Sequence, residues 1–153
     1  MKTKDNMLII SWEDFYENVS ELLKKIGDFR PDAILGIRYG GERLAMELHK
    51  HLKGSIYFTT IKHYNRTKRL NRVSVIEFPK LPVFQKKVLI VDDLVDTGET
   101  VAEVIKRLRE KNTHVAVLAK KPWSIISPDY YLFETDKWVV FPWEEEFKEF
   151  EGD

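Results

Sequence analysis

Cysteine is absent from this 153-residue chain, which excludes a disulfide scaffold, a thiolate metal site and cysteine chemistry and is compatible with a reducing compartment. An excess of charge of either sign is missing too. Lysine plus arginine (25) offset aspartate plus glutamate (25), so no global field argues for nucleic acid or a membrane surface as partner. No apolar run is long enough to cross a bilayer, and the one in MKTKDNMLII is too short for a signal peptide. The expectation is a soluble, cytoplasmic protein. Both G-x-x-x-x-G-K-[ST] and G-x-G-x-x-G are lacking, so a P-loop and a dinucleotide fingerprint are excluded. Repeats and low-complexity linkers are also missing, and the length suits a single domain over 1–153.

What is present alternates strand and helix. Trp12, Phe15, Val19, Leu22, Leu23 and Ile26 recur at helical spacing behind a Ser11 and Asp14 capping pair and ahead of Gly27. AILGI (33–37) reads as a strand, RYGG (38–41) as a glycine break, and Leu44, Ala45, Leu48 and Leu52 as the inner stripe of a second helix. SIYFTTI (55–61) and RVSVIEF (72–78) have the β-branched and aromatic content of strands. KVLIV (87–91) and HVAVLA (114–119) are apolar throughout, as in strands covered on both faces, with the helix ETVAEVIKRLREK between them; YYLF (130–133) adds one more strand. This pattern predicts an α/β fold with a mostly parallel sheet flanked by helices. Ligands of such sheets lie beyond the carboxyl ends of the strands, where Arg38 to Gly41, Asp92 to Thr100 and Lys120 with Lys121 all fall.

The most informative stretch is VLIVDDLVDTGET (88–100), in which Asp92, Asp93 and Asp96 crowd the end of a buried strand. Gly98 lets the backbone approach a ligand closely. The first amides of the following helix lack intrahelical acceptors, so with the Thr97 and Thr100 hydroxyls they suit a phosphate monoester. Vicinal carboxylates suit a vicinal diol and Mg²⁺, whose charge relieves their repulsion. A ribose 5-phosphate satisfies both halves. Read one residue at a time, Asp92 and Asp93 can equally cap a helix and Thr97-Gly98 make a turn.

This stretch resembles the phosphoribosyl pyrophosphate (PRPP) signature of the type I phosphoribosyltransferases, and the chain is most similar to the xanthine-guanine branch. GIRYGGERLA (36–45) stands at the family's diphosphate loop, KHYNRTKRLNRVSV at its flexible flap (62–72), and Ala119-Lys120 with WVVFPW (138–143) at its purine site and hood (120–153). The resemblance implies transfer of a 5-phosphoribosyl group from PRPP to a purine base with Mg²⁺ as cofactor. It implies that Asp92 and Asp93 hold the ribose hydroxyls, with Asp93 beside the metal, and that Thr97, Gly98, Glu99 and Thr100 enclose the 5-phosphate. Arg38, Tyr39, Gly40 and Gly41 would take the diphosphate. Asp96 would act at purine N7, Lys120 would donate to O6, Trp138 would stack on the base, and the backbone at Val139 and Glu144 would face the 2-substituent. Tyr64 is the expected flap residue.

Three departures from the family pattern are visible. Tyr39 stands where a cation commonly precedes Gly-Gly, leaving Arg38 or Arg43 to take its role. His63-Tyr64 replaces Ser-Tyr in the flap, and the second lysine of AKKPW leaves Lys120 and Lys121 both eligible at O6. A strained or cis peptide near Ile37-Arg38 is implied by the resemblance alone. No carboxylate occurs between Glu47 and Glu77 while seven basic residues accumulate there, as suits a polyphosphate. A PRPP- or nucleotide-binding regulator, an RNA-binding protein on the same scaffold and a pyrimidine phosphoribosyltransferase are the alternatives. Phe147 and Phe150 in the acidic tail require a partner surface, which favours a homo-oligomer, dimer or tetramer.

Overall fold

The structure is a computed structural model and describes residues 1–64 and 72–144. Strands β1 (Lys2–Lys4) and β2 (Met7–Ile9) form a hairpin before helix α1 (Trp12–Ile26). The predicted capping box closes that helix start: Asp14 N–H donates to Ser11 Oγ at 3.0 Å and Ser11 N–H to Asp14 Oδ2 at 2.9 Å. Strand β3 (Ala33–Arg38), helix α2 (Glu42–Leu52), and strands β4 (Ser55–Tyr64), β5 (Arg72–Glu77) and β6 (Lys87–Val91) follow. Then come β7 (Leu94–Val95), helix α3 (Glu99–Arg107), β8 (Asn112–Ala116), β9 (Ala119–Lys120), β10 (Phe133–Glu134) and β11 (Trp138–Val140).

The main sheet has the order β5-β4-β3-β6-β8 and is parallel except at its β5 edge. Because side chains alternate across a strand, Ile34, Leu89 and Val91 enter one core with Phe15, Leu22, Leu44 and Leu48 of α1 and α2. Leu35, Ile37, Val88 and Ile90 enter a second core with Val101 and Val104 of α3. Both faces of β3 and β6 are thus buried, which is why these strands read as unbroken apolar runs.

The chain runs from β3 to β4 on one side and places β6 and β8 on the other. The strand order therefore reverses between β3 and β6, and such a switch point opens a crevice at the carboxyl ends. Gly36 pairs with Val91, so RYGG and Asp92-Asp93 leave the sheet side by side. Two smaller sheets accompany it, β1-β2-β11 and β10-β9-β7. In the first, Trp138–Val140 lies parallel to Met7–Ile9, so the amino-terminal segment pairs with part of the 120–153 stretch. YYLF shifts as well, with the strand at Phe133–Glu134 and only an isolated bridge from Tyr130 to Ala116.

Candidate active site

The glycine loop and the acid pair press directly on each other. A Cβ added to Gly40, whose φ is +121°, would lie 2.5 Å from Asp93 Oδ2, and one added to Gly41 would lie 2.7 Å from the carbonyl oxygens of Ile37 and Val91. Glycine is required here by contact, with left-handed backbone at Gly40 in addition. The Arg38-Tyr39 peptide is cis, one bond later than the resemblance implied.

Burial is the main electrostatic cost at the acid pair. It lifts the Asp92 carboxyl well above the usual carboxylate range, with the neighbouring Asp93 charge adding to it. Asp93 is pushed up to about 6, first by burial and further by the Glu42 carboxylate, against the lowering effect of its hydrogen bonds. Asp93 N–H donates to Asp92 Oδ1 at 2.8 Å and Leu94 N–H to Asp93 Oδ1 at 2.7 Å, so local amides orient both groups. No side-chain cation pairs with either one among the described residues. Hard oxygen donors whose charges repel one another in a largely buried crevice fit Mg²⁺. Among the described residues, however, no three Asp, Glu, His or Cys side chains form a ready-made metal cage. Substrate oxygens would have to complete the shell.

A stability effect follows from Asp93. Its folded pKa of about 6 lies above the ordinary aspartate value of 3.8, so the folded state holds the proton more tightly and stability falls as pH rises from about 4 through about 6. Asp93→Asn removes that charge and retains an acceptor for Leu94 N–H. Without Mg²⁺ the variant should melt about 3 to 6 °C above the parent at pH 7.5, with the gap closing towards pH 4. This corresponds to about 1 to 2 kcal/mol after discounting for partial exposure. Thermal melts across that pH range check it, and equal melting temperatures at pH 7.5 would show that the buried charge costs nothing.

The N-cap of helix α3 is Gly98, at φ +91° and making no side-chain cap bond, and a helix start of this kind suits an anion. Thr97 Oγ1 lies 3.4 Å from Glu99 N, and Thr100 Oγ1 lies 2.7 Å from His63 Nε2. The second contact ties the end of β4 to this turn. Tyr64 ends β4, and its side chain lies outside the described residues, as do 65–71 with Arg66, Lys68 and Arg69 of the basic stretch, and the tail aromatics Phe147 and Phe150.

The 38–41 loop spends its glycine amides within the protein. Gly40 N–H donates to Glu42 Oε2 at 2.8 Å and Gly41 N–H to Ile37 O at 2.8 Å. Glu42, which the sequence reading passed over, thus puts an anionic oxygen on Gly40, whereas the Gly41 amide is committed to the backbone. Arg38 lies over the Phe58 ring at 4.6 Å and Tyr39 is 78% exposed. Arg43 lies 5.7 Å over Trp12, which engages it with α1.

At the other wall the two lysines diverge. Lys120 Nζ pairs with Glu134 Oε1 at 3.3 Å and sits 5.2 Å over Tyr131. Lys121 is buried; its ammonium donates to Lys137 O, immediately before Trp138, and lies 5.6 Å over Trp123. Trp123 in turn donates from Nε1 to Asp96 Oδ1 at 2.7 Å. Asp96, Trp123, Lys121 and the start of β11 therefore form one connected wall. Lys120 stands apart from it. Trp138 is 63% exposed, which leaves its indole available, while the Val139 side chain is in the core. Glu144 N–H donates to Phe141 O at 3.1 Å, so that amide is not free for a ligand.

Residues 9–149 match the phosphoribosyl transferase domain family. The chain is 30% identical over 145 residues to a xanthine-guanine phosphoribosyltransferase of Cereibacter sphaeroides, covering 88% of this chain and 85% of that protein. Its structure is similar to that of a purine phosphoribosyltransferase from Pyrococcus horikoshii, with a TM-score of 0.84 and 33% identity over 92% of this chain and 95% of the other. A xanthine-guanine-hypoxanthine phosphoribosyltransferase of Helicobacter pylori also superposes with a TM-score of 0.84, at 25% identity over 96% of this chain and 99% of that one. The fold and family expected from the sequence are borne out. Among the described residues no helix is long and apolar enough to cross a membrane.

Proposed function

Because the chain belongs to the phosphoribosyl transferase domain family, we propose that it transfers the 5-phosphoribosyl group of PRPP to a 6-oxopurine, guanine, xanthine or hypoxanthine, giving the nucleoside monophosphate and diphosphate. One observation carries this reading: at the switch point of the sheet, the glycine loop abuts the acid pair so closely that a Cβ on Gly40 would touch the Asp93 carboxylate at 2.5 Å. Diphosphate and ribose subsites then meet at the bond that breaks.

In this reading Asp92 and Asp93 accept from the ribose hydroxyls, and the start of α3 with Thr97 and Thr100 holds the 5-phosphate. Asp93 would also hold Mg²⁺, which supplies positive charge to offset that of the departing diphosphate. The C1–O bond to diphosphate breaks as the C1–N bond to the purine forms. Asp96 accepts the proton that the purine imidazole gives up at N7, a contribution typically worth about 10² to 10⁴ in rate. Trp138 offers an exposed aromatic face for the base.

Lys121 takes the place at O6 for which Lys120 was the first expectation. It is the lysine on the Asp96 wall, and a buried ammonium held by one backbone carbonyl has donors to spare for a substrate oxygen. Lys121→Ala should lower kcat/KM for guanine about tenfold to a hundredfold, the usual worth of a hydrogen bond to a charged group. Lys120→Ala should stay within about threefold. Steady-state rates of the two variants decide between them, and the reverse order would return the role to Lys120.

The reading itself is tested by incubating the protein with PRPP, Mg²⁺ and each of guanine, xanthine, hypoxanthine, adenine, orotate and uracil, then measuring nucleotide and diphosphate. Product from 6-oxopurines is expected; product from pyrimidines alone, or from none, would overturn it. We also propose a cytoplasmic homo-oligomer built from one domain, supported by the family and by the tail aromatics.

A further inference from the structure

Trp123 is a large aromatic residue, 54% exposed, on a turn with no core to fill. Its placement is nonetheless closely specified. Ser124 N–H donates to Lys121 O at 3.2 Å, closing a turn with Pro122 and Trp123 at its two central positions. Lys121 N–H donates to Val95 O at 2.9 Å and Ile125 N–H to Thr97 O at 2.8 Å, so the turn is fastened to the acidic loop on both sides of Asp96. A Cβ on Gly98 would lie 3.0 Å from Ser124 Oγ and from Ile126 N, which shows how tightly the two loops pack. Between these bonds the indole N–H reaches Asp96 Oδ1 at 2.7 Å, while the Lys121 ammonium lies 5.6 Å over the ring.

We propose that Trp123 is a positioning residue for the transfer reaction: its indole N–H occupies one oxygen of Asp96 and holds the carboxylate so that Oδ2 meets the imidazole edge of the purine. The inference rests on the role given to Asp96 above and adds what fixes it. An aspartate on an exposed turn samples several rotamers, and a general base contributes only when its oxygen stands within hydrogen-bond reach of the proton it takes. The two-bond clamp on either side of Asp96 makes the indole a fixed donor. The Lys121 ammonium over its face ties the same unit to the O6 end of the pocket. The proton leaving the purine goes to Asp96, and the indole keeps its own.

The test uses the full chain and has one readout that needs turnover and one that does not. Trp123→Phe keeps a ring under Lys121 and removes the N–H. It should lower kcat with guanine about tenfold while the KM for PRPP changes less than twofold. In an Asp96→Asn background the same substitution should change kcat less than twofold, because the two residues act through one contact. In ¹⁵N-indole-labelled protein the N–H resonance missing from Trp123→Phe should shift in Asp96→Asn. An unshifted resonance, an unchanged kcat, or an equal loss in the Asp96→Asn background overturns the positioning role. The indole measurement separates the two readings: a silent indole removes this contact and leaves the transfer reading standing, whereas a responsive indole in a protein that transfers nothing to any purine removes the transfer reading and the positioning role with it.

Discussion

Replacing Asp92 and Asp93 together by alanine is expected to abolish Mg²⁺-dependent PRPP binding and to lower kcat/KM by about 10² to 10⁴, while the protein stays folded and melts no lower than the parent without ligand. The activity loss follows from the bonds removed. Two carboxylates accepting from two ribose hydroxyls make charge-assisted hydrogen bonds worth about 1.5 to 3 kcal/mol each, and two of them together are worth about 10² to 10⁴ in rate. The retained stability follows from the same burial that raises both pKa values: without a cation the pair costs free energy, so its loss offsets the missing local bonds to Asp93 and Leu94 N–H. Calorimetric titration with PRPP, with and without Mg²⁺, together with a thermal melt, checks both halves. Retained Mg²⁺-dependent binding would move the diol elsewhere. A steep fall in melting temperature would show that the pair serves the fold first.

Gly41→Ala is the second large effect. Its φ of −80° suits any residue, so the obstacle is wholly steric: the new methyl would lie 2.7 Å from the carbonyl oxygens of Ile37 and Val91 and 2.9 Å from Asp92 Cα. All three are backbone atoms of the strands and loop that form the crevice, so no side chain can swing aside. Overpacking of this kind typically costs about 1 to 3 kcal/mol, or about 4 to 10 °C in a domain of this size. Relief can come only by parting the glycine loop from the acid pair, so PRPP affinity should fall about a hundredfold or more. A melt and a PRPP titration measure the two together. Gly41→Ala protein with the parent's affinity would show that the close approach of the loops is not what assembles the site.

Much of this arrangement is legible in the residues. The capping box at Ser11 and Asp14, the buried run KVLIV and the apolar stripes of α1 and α2 are local signals, and each appears where periodicity places it. The turn at Asp92 to Thr100 is legible for a related reason, since nearly all of its chemistry lies in one continuous segment. Pairings between distant segments are not. Met7–Ile9 beside Trp138–Val140 leaves only short apolar runs in the sequence, and the two-residue strands β7, β9 and β10 are too short to show a period. The choice between Lys120 and Lys121 has the same origin: adjacent residues on an extended chain face opposite ways, and only the pairing of β9 with β7 and β10 decides which ammonium turns towards Trp138. Glu42 and Trp123 carry little signal in the sequence because their partners, Gly40 N–H and Asp96, are matters of loop shape. The proline turn in KKPWS was the one local clue to Trp123.

A crystal structure of the protein with guanosine monophosphate tests the central claim most directly. The phosphate should sit on the Thr97 to Thr100 turn at the start of α3, the ribose hydroxyls on Asp92 and Asp93, and the guanine against Trp138 with O6 within hydrogen-bond distance of Lys121 Nζ. Nucleotide bound anywhere else, with that turn holding no phosphate and the two carboxylates facing away from the sugar, would contradict it.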